Sequence, residues 1–199
     1  PAIPASDARL GFVAKDKNEV IEFLTASIAE LDKQKGKESW DHFSGIHYRE
    51  KALPENAKVV ALFSGQGAQY VNMCKDLTIN YPPMRESFAQ MGQLLLDDND
   101  TNISRVVFPE QVFTEEAKKA QEEKLKLTQY IQPAVGSVSV GLYKMIKQVG
   151  FKPDMVAGHS FGELTALWAA GVIDDDSFYS LSRSRSVAMG TPPEDGYDA

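Results

Sequence analysis

The feature that most constrains this chain is Gly158-His159-Ser160-Phe161-Gly162, which follows the apolar residues Met155 to Ala157 and opens onto a Leu/Ala/Trp segment from Leu164 to Ala170. A G-x-S-x-G pentapeptide between a strand and a helix is a nucleophile elbow. Its tight turn forces the serine outward, and the positions two before and two after must be small because the strand end and the first helical turn nearly touch. Gly158 and Gly162 meet that demand. The pattern also arises by chance in turns rich in glycine and serine, so its weight comes from the flanking strand and helix. A helix starting beside Ser160 aims free N–H groups and the positive end of its dipole at the serine, which suits an oxyanion formed when a hydroxyl attacks an ester or thioester. The elbow therefore proposes acyl-transfer chemistry.

A second stretch complements it. Lys58 to Phe63 carries apolar residues on both faces and predicts a fully buried strand. It runs into Ser64-Gly65-Gln66-Gly67-Ala68-Gln69. Two glycines around a glutamine at a strand's carboxyl end let backbone N–H groups turn toward a ligand, in the crevice where open α/β sheets place their sites. This is the natural second half of an oxyanion hole. No Gly-Lys-Ser/Thr follows, so a phosphate loop is unsupported.

The rest of the chain predicts a frame for these two turns. Arg9 to Ala14 is a short strand candidate, and Asn18 to Leu31 spaces Val20, Leu24, Ile28 and Leu31, with Ile21 alongside, as one apolar helical face. Trp40 to Glu50 is aromatic-rich and expected to pack on that helix; its His42 and His47 stand in no glycine-poised or acid-paired motif and are not read as catalytic. Pro82-Pro83 start a helix with Phe88, Met91, Leu94 and Leu95 inward, and residues 97–102 form a polar turn. Ile103 to Phe108 is a short apolar segment, and Thr114 to Lys126 a charged helix with a solvated face. From Thr128 runs an apolar helix bearing Ala134, Gly136, Ser137, Ser139 and Gly141, small enough for close packing on the sheet beside the elbow. Asp176 to Ala188 predicts a last helix, with Arg183 and Arg185, before a Pro/Gly/Asp-rich ending.

Composition narrows the function classes. A chain of 199 residues, 43% hydrophobic, can bury one good core and carry a small accessory region. Its formal charge of −7 speaks against nucleic acid as a partner. No apolar run nears the roughly 18 to 20 residues that span a bilayer, and no secretory pattern opens the chain, so a cytoplasmic address with no membrane partner is expected. The single cysteine, Cys74, reads as a buried thiol, and no metal-ligand set is spaced around it.

Together these residues resemble the malonyl-CoA:acyl carrier protein transacylase family, most closely the acyltransferase region of polyunsaturated fatty acid and polyketide-type synthases. The resemblance rests on Phe63 to Gln69, on Thr128-Gln129 with Gln132-Pro133-Ala134, and on Gly158 to Glu163 followed by Arg185 and Met189. It implies an α/β fold: part of an α/β-hydrolase-like parallel sheet with flanking helices over residues 58–199, the ferredoxin-like subdomain largely missing. Residues 1–57 would be the small α/β linker lobe between a ketosynthase and the acyltransferase.

By the same resemblance Ser160 is the acylated nucleophile, the N–H groups of Gln66 and Phe161 form the oxyanion hole, and Arg185 holds the free carboxylate of a malonyl group. Gly65, Gly67, Gly158, Gly162 and His159 shape the supporting turns. Malonyl-CoA or another acyl-CoA and the phosphopantetheine arm of an acyl carrier protein would be substrates, with no bound cofactor and no metal. The family's general base is a histidine well downstream, and none follows Ser160 here. His159 cannot replace it, since the residue before an elbow serine projects away from the serine oxygen. The expectation is a piece of a larger enzyme, impaired alone, with the rest of the acyltransferase and a neighbouring ketosynthase in the same polypeptide. A serine hydrolase or thioesterase, or a non-catalytic structural piece, are the alternatives.

Overall fold

A parallel pairing between residues nearly one hundred positions apart sets the frame of the elbow. The structure, a computed structural model, describes Pro4 and residues 6–54, 56–95 and 102–190. The expected polar turn at 97–102 and the Pro/Gly/Asp-rich ending fall almost wholly outside these residues. The chain divides into two compact units, residues 1–57 and 58–199.

In the first unit, β1 (Arg9–Gly11), α1 (Lys17–Lys33), β2 (Ser39–His42) and β3 (Ile46–Arg49) form a helix and an antiparallel sheet of order β1-β3-β2. Asp16 caps α1 by accepting from the N–H groups of Asn18 and Glu19. Ile46 and Trp40 are buried, and Trp40 stacks on Tyr48 across the β2–β3 hairpin. The helix turns a different face inward from the expected one. Phe23 meets Phe12 edge-on at 5.4 Å and Ser27 is buried, whereas Ile21, Leu24, Ile28 and Leu31 are exposed. Two stripes at helical spacing lie side by side on α1, and the Phe23/Ser27 stripe is the one that packs. The strand expected over Arg9 to Ala14 ends at Gly11, and His47 does have an acidic partner, its Nδ1 lying 2.7 Å from Asp41 on the neighbouring strand, at the surface.

The second unit begins with β4 (Val60–Phe63), followed by α2 (Lys75–Asn80), α3 (Pro82–Leu95), α4 (Ile103–Val107), α5 (Glu115–Leu125) and the long α6 (Thr128–Gln148). Then come β5 (Met155–Gly158), α7 (Phe161–Ala169) and α8 (Asp175–Gly190). The main core lies among the helices, where Met84, Phe88 and Met91 of α3 meet Ile131, Ala134 and Val140 of α6 and Phe178 and Tyr179 of α8. Small residues permit the approach: a Cβ on Gly141 would sit 2.9 Å from the Cα of Met84. Cys74 is only partly buried, at the start of α2, and burial still pushes its thiol above the usual range.

Strands β4 and β5 pair in parallel, Val60 with Met155 through Phe63 with Gly158. Asp154 fastens the start of the pair, accepting from the Val59 N–H at 3.0 Å and from Lys58 Nζ at 2.9 Å. One face of the pair, with Ala61, Phe63 and Val156, packs on Tyr143 of α6 and Ala166 and Trp168 of α7. The other face is bare, and Leu62 is 77% exposed beside exposed Val60 and Met155. The expectation of a fully buried strand thus fails, because among the described residues the sheet has two strands and helices cover one side. Among those residues no helix is long and apolar enough to cross a membrane.

Candidate active site

The chain leaves β5 at Gly158 and enters α7 at Phe161 through a single strained residue. Ser160 has φ 55 and ψ −116, outside the regions an L-residue favours, and its side chain is exposed. Gly162 donates to the His159 carbonyl at 2.9 Å and His159 donates to the Phe63 carbonyl at 3.2 Å, so the turn is tied to itself and to the end of β4. The small residues are required by contact. A Cβ on Gly158 would fall 2.0 Å from the Gly162 carbonyl oxygen, and one on Gly162 would fall 2.2 Å from that of Phe63.

The Gly65-Gln66-Gly67 turn lies directly against the elbow. A Cβ on Gly65 would stand 2.4 Å from the His159 carbonyl oxygen and 3.3 Å from the Ser160 Cβ, so the two turns touch as backbones. Gly67 has φ +109 and donates its N–H to the Gln69 side chain at 2.8 Å, which closes the turn and leaves Gln66 exposed. Among the described residues no group accepts the N–H of Gln66 or of Phe161.

Phe161 is fully buried and anchors the elbow helix: a Cβ on Gly136 of α6 would lie 3.0 Å from its Cζ, and the Arg185 guanidinium lies over its ring at 5.9 Å. Helix α8, which carries Arg185, is fixed at its first turn. Burial works against ionised Asp175, but hydrogen bonds from Lys144 of α6 and Trp168 of α7, with the charge of Lys144, outweigh it and hold the carboxyl below its ordinary value. Further along α8 the buried Tyr179 hydroxyl, pushed up to about 12 by burial, donates to Ser87 Oγ at 3.0 Å. Ser87 in turn donates to the Ser137 carbonyl.

The structure thus brings Ser160, Phe161, Gly65, Gly67, Gly158 and Gly162 to one turn pair, with Arg185 over the ring of Phe161. His159 is exposed, with its backbone used on both sides of the elbow. Asp154 and Asp175, which pin the strand pair and α8, went unnoticed in the sequence. Their signals were an acid just before the elbow strand and another in a helix's first turn. Among the described residues no three His, Cys, Asp or Glu side chains cluster to hold a metal.

A strained serine elbow backed by a glycine turn on a parallel strand pair defines an acyl-transfer class of protein. The model of the family described as acyl transferase domain matches residues 60–194, and the chain belongs to that family. A polyunsaturated fatty acid synthase polypeptide of Thraustochytrium sp. is 37% identical over 195 residues, 95% of this chain and 7% of that protein. The malonyl CoA-acyl carrier protein transacylase of Escherichia coli is 38% identical over 139 residues, 69% of this chain and 40% of the relative. In structure the chain is similar to the acyltransferase domain from the second module of the salinomycin polyketide synthase, with TM-score 0.69 and 27% identity, over 96% of this chain and 39% of that one. The chain therefore spans two fifths or less of each of these proteins.

Proposed function

We propose that this chain is the nucleophile-bearing part of an acyltransferase of a fatty acid or polyketide-type synthase, moving a malonyl group from CoA to an acyl carrier protein. The observation that carries the reading is Ser160 at φ 55, projecting from a glycine-flanked elbow against the Gly65-Gln66-Gly67 turn. The Ser160 oxygen attacks the thioester carbonyl, the charge on the carbonyl oxygen falls to the N–H groups of Gln66 and Phe161, and the carbon–sulfur bond breaks to release CoA as its thiol. The thiol of the carrier's phosphopantetheine arm then attacks the Ser160 ester, and the serine recovers its proton. CoA and the pantetheine arm are substrates, and the chain needs no resident cofactor.

Arg185 supplies selectivity. Malonyl differs from acetyl by a carboxylate, and a bidentate guanidinium matches both of its oxygens. The base that takes the Ser160 proton comes from polypeptide beyond these 199 residues, along with the cover that completes an α/β-hydrolase-like sheet and a ferredoxin-like subdomain. Residues 1–57 act as the linker lobe toward a ketosynthase, a reading supported by the 95% span of the match to the long synthase polypeptide, compared with the 69% span of the match to the transacylase. The setting is cytoplasmic.

Incubation with malonyl-CoA and peptide mass analysis tests the nucleophile. A malonyl adduct on the peptide bearing Ser160, absent in Ser160→Ala, is the expected result, and transfer that persists in Ser160→Ala overturns the reading. The chain alone should transfer slowly, since a general base contributes about 100- to 10,000-fold. In the complete synthase Arg185→Ala should depress malonyl transfer by about 1.5 to 3 kcal/mol while sparing acetyl transfer.

A further inference from the structure

Two complementary polar atoms are stranded on facing helices beside the elbow. On α6, Gln132 is 1% exposed; its Nε2 donates to the Met189 sulfur at 3.5 Å, a weak acceptor, and its Oε1 is buried with no partner among the described residues. On α8, Arg185 has a buried Nη1 that likewise lacks a partner among them. Met189 lies one turn beyond Arg185 on the same face of α8, and Gly136 lies one turn beyond Gln132 on the same face of α6. A Cβ on Gly136 would touch the Phe161 ring on which the Arg185 guanidinium rests, and Gly190 approaches Gln129. The helices thus run antiparallel here, which sets Gln132 and Arg185 on one seam.

We infer that Gln132 is a positioning residue for Arg185: its Oε1, unpaired among the described residues, takes an Arg185 N–H when the acyl group enters and fixes the plane of the guanidinium, leaving the opposite edge for the acyl carboxylate. This rests on Arg185 being the carboxylate clamp. A buried acceptor without a donor and a buried donor without an acceptor are each costly, and joining them removes both costs at once. The ring of Phe161 supports the guanidinium from below, so a hydrogen bond in its plane is the missing restraint on its rotation.

The test measures kcat and KM for malonyl-CoA and acetyl-CoA in the complete synthase carrying Gln132→Met, which keeps length and volume and loses the acceptor, alone and with Arg185→Ala. Expected is a rise in malonyl KM and a loss of malonyl-over-acetyl selectivity on the order of tenfold, the size of one hydrogen bond to a charged group. Acetyl kinetics should be unchanged, which also reports an intact fold, and the loss should vanish in the Arg185→Ala background. Equal losses for both acyl groups, or none, overturn the Gln132 role while Arg185→Ala still erodes selectivity. Unchanged selectivity in Arg185→Ala overturns the clamp itself and the inference with it. Should Gln132→Met fail to fold, Gln132→Leu gives the same comparison.

Discussion

At the scale of single residues, the elbow is a set of distances that leave no room for a methyl group. The three atoms nearest a Gly158 Cβ are backbone, starting with the Gly162 carbonyl oxygen at 2.0 Å, so no side chain can swing aside to relieve them. Gly158→Ala should destabilise by about 1 to 3 kcal/mol, the range for overpacking, and should abolish malonyl labelling of Ser160 by opening the turn. Gly11→Ala in the first unit, where nothing lies within 4 Å of the added carbon, is the matched control and should leave both thermal unfolding and labelling unchanged. The glycines and Ser160 were legible in the sequence because G-x-S-x-G reports a local steric fact. Gln132 showed only as part of a motif, since its significance lies in an unpaired oxygen that appears once α6 and α8 are side by side.

At the scale of elements, the strand pair depends on a salt link that the sequence hides. The backbone N–H of Val59, then the hydrogen bond and charge of Lys58, hold the Asp154 carboxyl below its ordinary value. A depressed folded-state pKa means stability that is present above the unfolded value and lost as pH falls through the folded one. Melting temperature should therefore fall from neutral pH into the acid range more steeply for the native chain than for Asp154→Asn, with the variant already lower at pH 7. Parallel melting curves of the two proteins across that range would contradict this. Periodicity located α3, α6, α7 and α8, which carry buried residues at helical spacing, whereas the short apolar segment Ile103 to Phe108 did not announce the helix α4, and α5, placed by its charges, buries only Leu125. Periodicity misjudged α1, where the stripe that packs holds Phe23 and the polar Ser27 beside a more apolar one, and β4, where apolar residues on both faces cannot say how many layers cover a strand.

At the scale of the whole molecule, the bare side of β4 and β5 is the conspicuous feature, since parallel sheets are ordinarily covered on both faces. In this chain Leu62→Lys should change stability by no more than about 0.5 kcal/mol, as expected of an exposed site. In the complete synthase, where the proposed cover lies over Leu62, the same change should lower the acyltransferase's melting temperature clearly. Equal tolerance in both settings would argue that nothing packs there. The pairing that creates this face also orders events in time. Val59 and Asp154 meet across 95 positions, enclosing helices α2 to α6, whose own hydrogen bonds are local. Closing so long a loop is rewarded only after those helices have collapsed, so during refolding the strained serine is among the last parts to assemble. A reagent that acylates Ser160 would therefore act as a clock for completed folding, marking only chains whose helical core is already in place.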